Sequence, residues 1–105
     1  MARTPAEVLE HVGEIIGTRG ADHGDYAENM NTCADLQSSF VGWRLQGSQA
    51  AIQVALLKLS RIKCGGYNID DYEDAVGYLA IATALAEAEE EERPSGPERT
   101  LRVLR

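Results

Sequence analysis

Asp71 and Asp74 stand three residues apart in the run Asp70-Asp71-Tyr72-Glu73-Asp74, and Asp25 and Glu28 repeat that spacing. Side chains three apart on a helix share a face, so each pair would aim two carboxylates in one direction. Two such helices meeting in a bundle could hold one or two Mg²⁺ ions, which take hard oxygen ligands and keep waters or substrate phosphates in their shell. The same acids suit a plainer role. Carboxylates in a first helical turn satisfy unpaired amides and complement the positive end of the helix dipole. At this level both readings stand.

Lys58 and Arg61 form a matching pair of cations within ALLKLSRI. They could grip a phosphate, Arg with its planar fork and Lys as a point charge, or they could neutralise the acids of neighbouring helices. A third feature is Arg19-Gly20-Ala21-Asp22-His23-Gly24-Asp25. Its glycines would let backbone approach a ligand, and the helix that follows would present its amides to an anion. An ordinary interhelical loop with a locally bonded His23 is the alternative. The segment has no GK[ST] and no preceding strand, so it is neither a Walker nor a Rossmann fingerprint. No Ser or Cys has a His at a recognisable motif spacing, which argues against a nucleophilic hydrolase.

Helices must position these groups. Thr4-Pro5-Ala6-Glu7 is a capping box with Pro at the first helical position, so helix one starts at residue 5. Val8, Leu9, Val12, Ile15 and Ile16 make its apolar stripe, with His11 on the solvated side. Gly17 and Gly20 predict a break, leaving residues 17–25 as a loop. Asp25 with Glu28 opens helix two, about 26–44, with Met30, Cys33, Ala34, Leu36, Phe40, Val41 and Trp43 as its apolar positions. Ser48 is the expected cap of helix three, about 49–63, which carries Ile52, Ala55, Leu56, Leu59 and Ile62 inward. Gly65 is expected to end it in the left-handed conformation. Asp70 or Asp71 caps helix four, which reaches residue 92. Val76, Leu79, Ala80, Ala82 and Ala86 form its buried stripe, and the Thr83 hydroxyl can bond back one turn. Pro94-Ser95-Gly96-Pro97 then separates a short tail. The reading is an all-α, four-helix antiparallel bundle over residues 1–92, with a linker and tail over 93–105.

Composition narrows the partners. The 105 residues carry 17 Asp and Glu against 10 Lys and Arg, a net charge of −7. That surplus argues against a nucleic-acid groove or an anionic membrane as partner. Seven of the eleven acids in residues 1–86 lie between Asp22 and Glu28 or between Asp70 and Asp74. Fourteen residues are Ala, while Phe and Trp occur once each, so the core must be thin and self-association would help it. Cys33 and Cys64 fit no zinc or CxxC spacing and are expected to be buried thiols. The first residues, MARTPAEVLEHVGEII, lack an apolar stretch with a cleavage site, and no apolar run nears the ~20 residues of a membrane span. A cytoplasmic setting is expected.

Taken in order, residues 7–86 resemble a small domain family of unknown function common in tailed-phage and prophage genomes. Its pattern is R-G-x-x-[aromatic]-G-D, then E-N, then L-L-K-[LIV]-[AS]-R-[IL], then D-[SY]-x-x-D-[AI]-x-G-Y. Here these are Arg19 to Asp25, Glu28-Asn29, Leu56 to Ile62, and Asp71 to Tyr78, with His23 where the family usually has Tyr. At longer range the layout is similar to MazG-type all-α nucleoside triphosphate pyrophosphohydrolases, whose ExxE and ExxD helices hold Mg²⁺ against a triphosphate. The resemblance implies Mg²⁺ on Asp25, Glu28, Asp71 and Asp74, with Arg19, His23, Lys58, Arg61 and Tyr78 around a nucleotide or another phosphorylated small molecule. It further implies a homo-oligomer, in the host cytoplasm if phage-encoded. Three functions follow as expectations: Mg²⁺-dependent pyrophosphohydrolysis, sequestration of a host immune signalling nucleotide without turnover, or phage assembly without ligand chemistry.

Overall fold

A computed structural model describes residues 1–93, except the side chains of Asp22 and His23; of the expected linker and tail, 93–105, all but Arg93 lies outside the described residues. The helices are α1 (Pro5–His23), α2 (Tyr26–Val41), α3 (Gly47–Cys64) and α4 (Ile69–Glu92). No strand occurs among the described residues.

Local chemistry sets most of the boundaries. The Thr4 amide donates to Glu7 Oε1 at 2.9 Å and the Glu7 amide donates to Thr4 Oγ1 at 3.2 Å, closing the expected capping box. Asp25 caps α2 by accepting from the Ala27 amide at 3.2 Å. Residues 17–23, expected as loop, are instead the last two turns of α1. A glycine inside a helix costs only about 1 kcal/mol, which a helix already under way absorbs. The Thr18 hydroxyl also bonds back to the Glu14 carbonyl at 3.0 Å. The break falls at Gly24, at φ 87°.

Four other caps differ from expectation. α2 stops at Val41, three residues early, because Gly42 takes the left-handed conformation and donates its N–H to the Ser38 carbonyl. Gln46, not Ser48, caps α3, with its N–H bonded to Gln49 Oε1 at 2.8 Å. Asn68, not Asp70 or Asp71, caps α4 through Oδ1, which accepts from the Asp70 amide at 3.0 Å. Gly65 ends α3 at φ −107°, outside the left-handed region, with its N–H on the Arg61 carbonyl. Thr83 does bond back, to Leu79, at 2.8 Å.

α3 and α4 form the main packing unit and run antiparallel, since Ser48 meets Glu89 at one end and Arg61 meets Asp71 at the other. Residues 42–46 fold back along α2: Arg44 pairs with Asp35 at 2.6 Å, and the Leu45 amide donates to Ser38 Oγ at 2.8 Å. α1 crosses α4 rather than running beside it. Arg3, ahead of its first turn, and Arg19, near its end, reach Glu73 and Asp74, neighbours on α4.

The buried apolar set is Val12, Leu85 and six alanines: Ala34, Ala50, Ala51, Ala55, Ala75 and Ala82. This is the thin core the composition implies. It also reverses one expectation, because Ile52, Leu56 and Leu59 face outward at 43%, 56% and 47% exposure. Interhelical distance depends on side-chain size at the seam, and the alanine stripe lets α3 approach its neighbours closely. Leu9, Leu36, Phe40, Val41, Trp43 and Leu79 are likewise exposed, as are Ala80 and Ala86. Cys64 is exposed and Cys33 half-buried, so neither is the buried thiol expected.

Candidate functional site

The two three-residue spacings on α3 and α4 meet. Lys58 Nζ lies 3.1 Å from Asp74 Oδ2, and Arg61 lies 4.0 Å from Asp71 one turn further along. Antiparallel packing makes this possible, since a step toward the C-terminus of α3 is a step toward the N-terminus of α4. Arg19 approaches the other Asp74 oxygen at 3.8 Å. Asp74 thus lies between cations from α1 and α3, and this cluster of two acids and three bases carries one positive charge in excess.

Beside Asp74, a cleft of about 420 Å³ opens between α1, α2 and α4, within the usual ~300–1,000 Å³ of small-ligand sites. Its apolar lining comes from Val12, Ile15, Ile16, Met30 and Ile81. Its polar lining is Arg19, Tyr26, Asn29, Glu73, Asp74 and Tyr78. Gly77 keeps the wall low where α1 crosses: a Cβ there would sit 3.4 Å from Val12 Cγ1.

Glu73 was not among the groups singled out from sequence, yet it is 8% exposed. Arg3 pairs with it at 2.9 Å and His11 Nε2 approaches the same oxygen at 3.6 Å. His11 therefore does not simply face solvent. The signal available in sequence was the position of Glu73 beside Asp74; nothing local told that Arg3 would return to it. Tyr26 and Asn29 were also missed, because the loop reading of 17–25 left the angle between α1 and α2 open.

Of the sequence-derived site residues, Arg19, Asp74 and Tyr78 line the cleft. Lys58 reaches it through Asp74, and Arg61 and Asp71 lie one turn beyond. The side chain of His23 lies outside the described residues. The expected four-carboxylate magnesium centre is not assembled: among the described residues, no three His, Cys, Asp or Glu side chains form a group able to hold a metal ion. Asp25 is engaged as the α2 cap, and Asp71 and Asp74 face Arg61, Lys58 and Arg19.

Fold and site together define a small all-helical domain with a largely apolar cleft edged by Arg19, Glu73 and Asp74. Residues 7–86 match a family described as a domain of unknown function, DUF6378, and the chain belongs to that family. It is similar to the Gene 55 protein of Mycobacterium phage L5, at 33% identity over 92 residues, 86% of this chain and 59% of that protein. The Gene 55 protein of Mycobacterium phage D29 is 28% identical over 88 residues, 83% of this chain and 58% of that protein. The chain thus spans under two thirds of the length of these phage relatives. No solved structure matches it significantly. No described helix is long and apolar enough to cross a membrane.

Proposed function

We propose that this phage-type domain binds a nucleotide, or another phosphorylated small molecule bearing a ring, in the cleft between α1, α2 and α4. The observation that carries this reading is the arrangement around Asp74: Arg19 and Lys58 converge on one carboxylate at the edge of an apolar cleft that also holds Tyr26 and Tyr78. The apolar walls and phenol rings suit a base, and the excess positive charge suits a phosphate. Binding without turnover fits better than hydrolysis. A MazG-type reaction needs carboxylates that hold Mg²⁺ and activate water, whereas here the two best-placed acids face guanidinium and ammonium groups. Sequestration of a nucleotide, a host signalling nucleotide included, is the form this function takes.

The test is to incubate the full chain with Mg²⁺ and a nucleotide panel, then separate bound ligand and product by chromatography. Unchanged nucleotide released only on denaturation, with weaker retention in Arg19→Ala and Lys58→Met, is the expected result. Pyrophosphate release abolished by Asp74→Asn would establish the hydrolase instead. If nothing binds or turns over, the assembly reading replaces both.

A further inference from the structure

The only Phe and the only Trp of the chain are among its most exposed residues: Phe40 at 93% and Trp43 at 75%. They belong to the α2–α3 hairpin. Leu36 precedes Phe40 by one turn on the same face of α2, and the outward stripe of α3 is Ile52, Leu56 and Leu59, spaced four and three apart. That spacing is the seam of a helix packed against another helix. Leu57, at 53%, adds to the open apolar surface of α3, and Phe40 and Trp43 are side chains of a type able to bury roughly 150–250 Å² each. Lone apolar residues on a surface are ordinary, but a stripe of three along one helix signals an interaction.

Charge selects the partner. The chain is acidic, yet α3 contains no acid at all, and its cations Lys58 and Arg61 are turned to α4. Lys63 is the one remaining charge of α3, at its far end. The outer face of α3 is therefore a surface through which two copies of a protein at −7 can approach without acid facing acid. An antiparallel arrangement centred on Leu56 sets Ile52 of each copy against the Leu59–Ser60 region of the other, and Lys63 against the neutral Gln49. A parallel one would set Lys63 against Lys63. We propose that the α2–α3 hairpin is a homodimer surface in which α3 packs antiparallel on α3 of a second copy, about a two-fold axis near Leu56. Such an interface is self-complementary and closes at two copies. It is independent of what the cleft binds.

Light scattering on the full chain at tens of micromolar should give twice the 11.4 kDa of one chain. Leu56→Glu should halve that mass while far-UV circular dichroism keeps its helical signal, since the site is open in the single chain. Should Leu56→Glu lose helix, disulfide trapping decides. In a Cys33→Ser, Cys64→Ser background, Leu56→Cys should give a covalent dimer on mild oxidation, and Gln53→Cys, which the antiparallel register sets against Leu59 rather than against its own copy, should not. A single-chain mass for the native protein, a larger assembly, an intact dimer in folded Leu56→Glu, or equal trapping at both positions would each overturn the proposal.

Discussion

Lys58 Nζ and Asp74 Oδ2 lie 3.1 Å apart, with both side chains less than one-fifth exposed, and the same carboxylate faces Arg19 across the cleft edge. One acid therefore holds two cations from two different helices beside an apolar cavity. It fixes α1 to the α3–α4 pair, and it masks positive charge that a ligand phosphate could use.

Replacing that acid separates two roles. Asp74→Asn keeps the shape and removes the charge, so phosphate-bearing ligands should bind about three- to tenfold tighter, equivalent to roughly 1 kcal/mol. Titration calorimetry of the variant against the native chain checks this. Were Asp74 holding a metal that bridges the ligand, affinity would fall instead. Stability should drop by about 1–2 kcal/mol in urea unfolding, between the values for exposed and fully buried pairs.

Gly77 marks the place where α1 crosses α4, with Val12 across from it. A leucine here has nowhere to go except into the α1 seat. Gly77→Leu should destabilise by about 1–3 kcal/mol, the usual range for overpacking, and should abolish ligand binding by separating α1 from α4. Gly77→Ala should stay within about 1 kcal/mol of the native chain, because the helix-propensity gain offsets the closer contact. Thermal unfolding of the two variants side by side distinguishes the outcomes.

Glu89 closes the first turn of α3 from a distance. Its carboxylate accepts the Ser48 amide at 3.0 Å and also the Ser48 hydroxyl, placing negative charge at a helix N-terminus. Glu89→Ala should cost about 1–3 kcal/mol, as expected for buried donors left without a partner. Hydrogen exchange should quicken at the α3 amides nearest Ser48 and leave those of α1 unchanged.

Acid should loosen α1 first at its start. The bonds from the Thr4 backbone and side chain hold the Glu7 carboxyl below its ordinary 4.5, with Arg3 adding to the effect and desolvation opposing it. A depressed carboxyl contributes stability that is present above the unfolded value and lost as pH falls through the folded one. The Glu7 carboxyl resonance should therefore titrate below 4.5, and Thr4→Ala should move it back up. A midpoint unaffected by Thr4→Ala would show that the Thr4 hydroxyl contributes nothing and that, of the two Thr4 bonds, the backbone amide, which alanine keeps, sets it alone.

How much of this was legible in the residues depends on how far apart the interacting groups are. Thr4 with Glu7 and Asp25 with Ala27 act within one turn, so residue type and spacing were enough to reveal them. The Lys58–Arg61 and Asp71–Asp74 spacings were visible too, as was their fitness for one another. Gly17 and Gly20 misled, because a cooperative helix outweighs two unfavourable residues when no proline or left-handed cap stops it.

The amino-acid sequence by itself determined the four helices of the described residues and that alanine would dominate any core. Only the tertiary structure decided which stripe of α3 turned inward, since Ala51 and Ala55 compete with Leu56 and Leu59 for the seam and closeness of approach settles the contest. It alone returned Arg3 and His11 to Glu73, and it turned the acids of α4 toward Lys58, Arg61 and Arg19 rather than toward Asp25 and Glu28. Carboxylates are drawn to the nearest opposite charge, and which charge is nearest is a property of helix crossing, not of spacing along the chain.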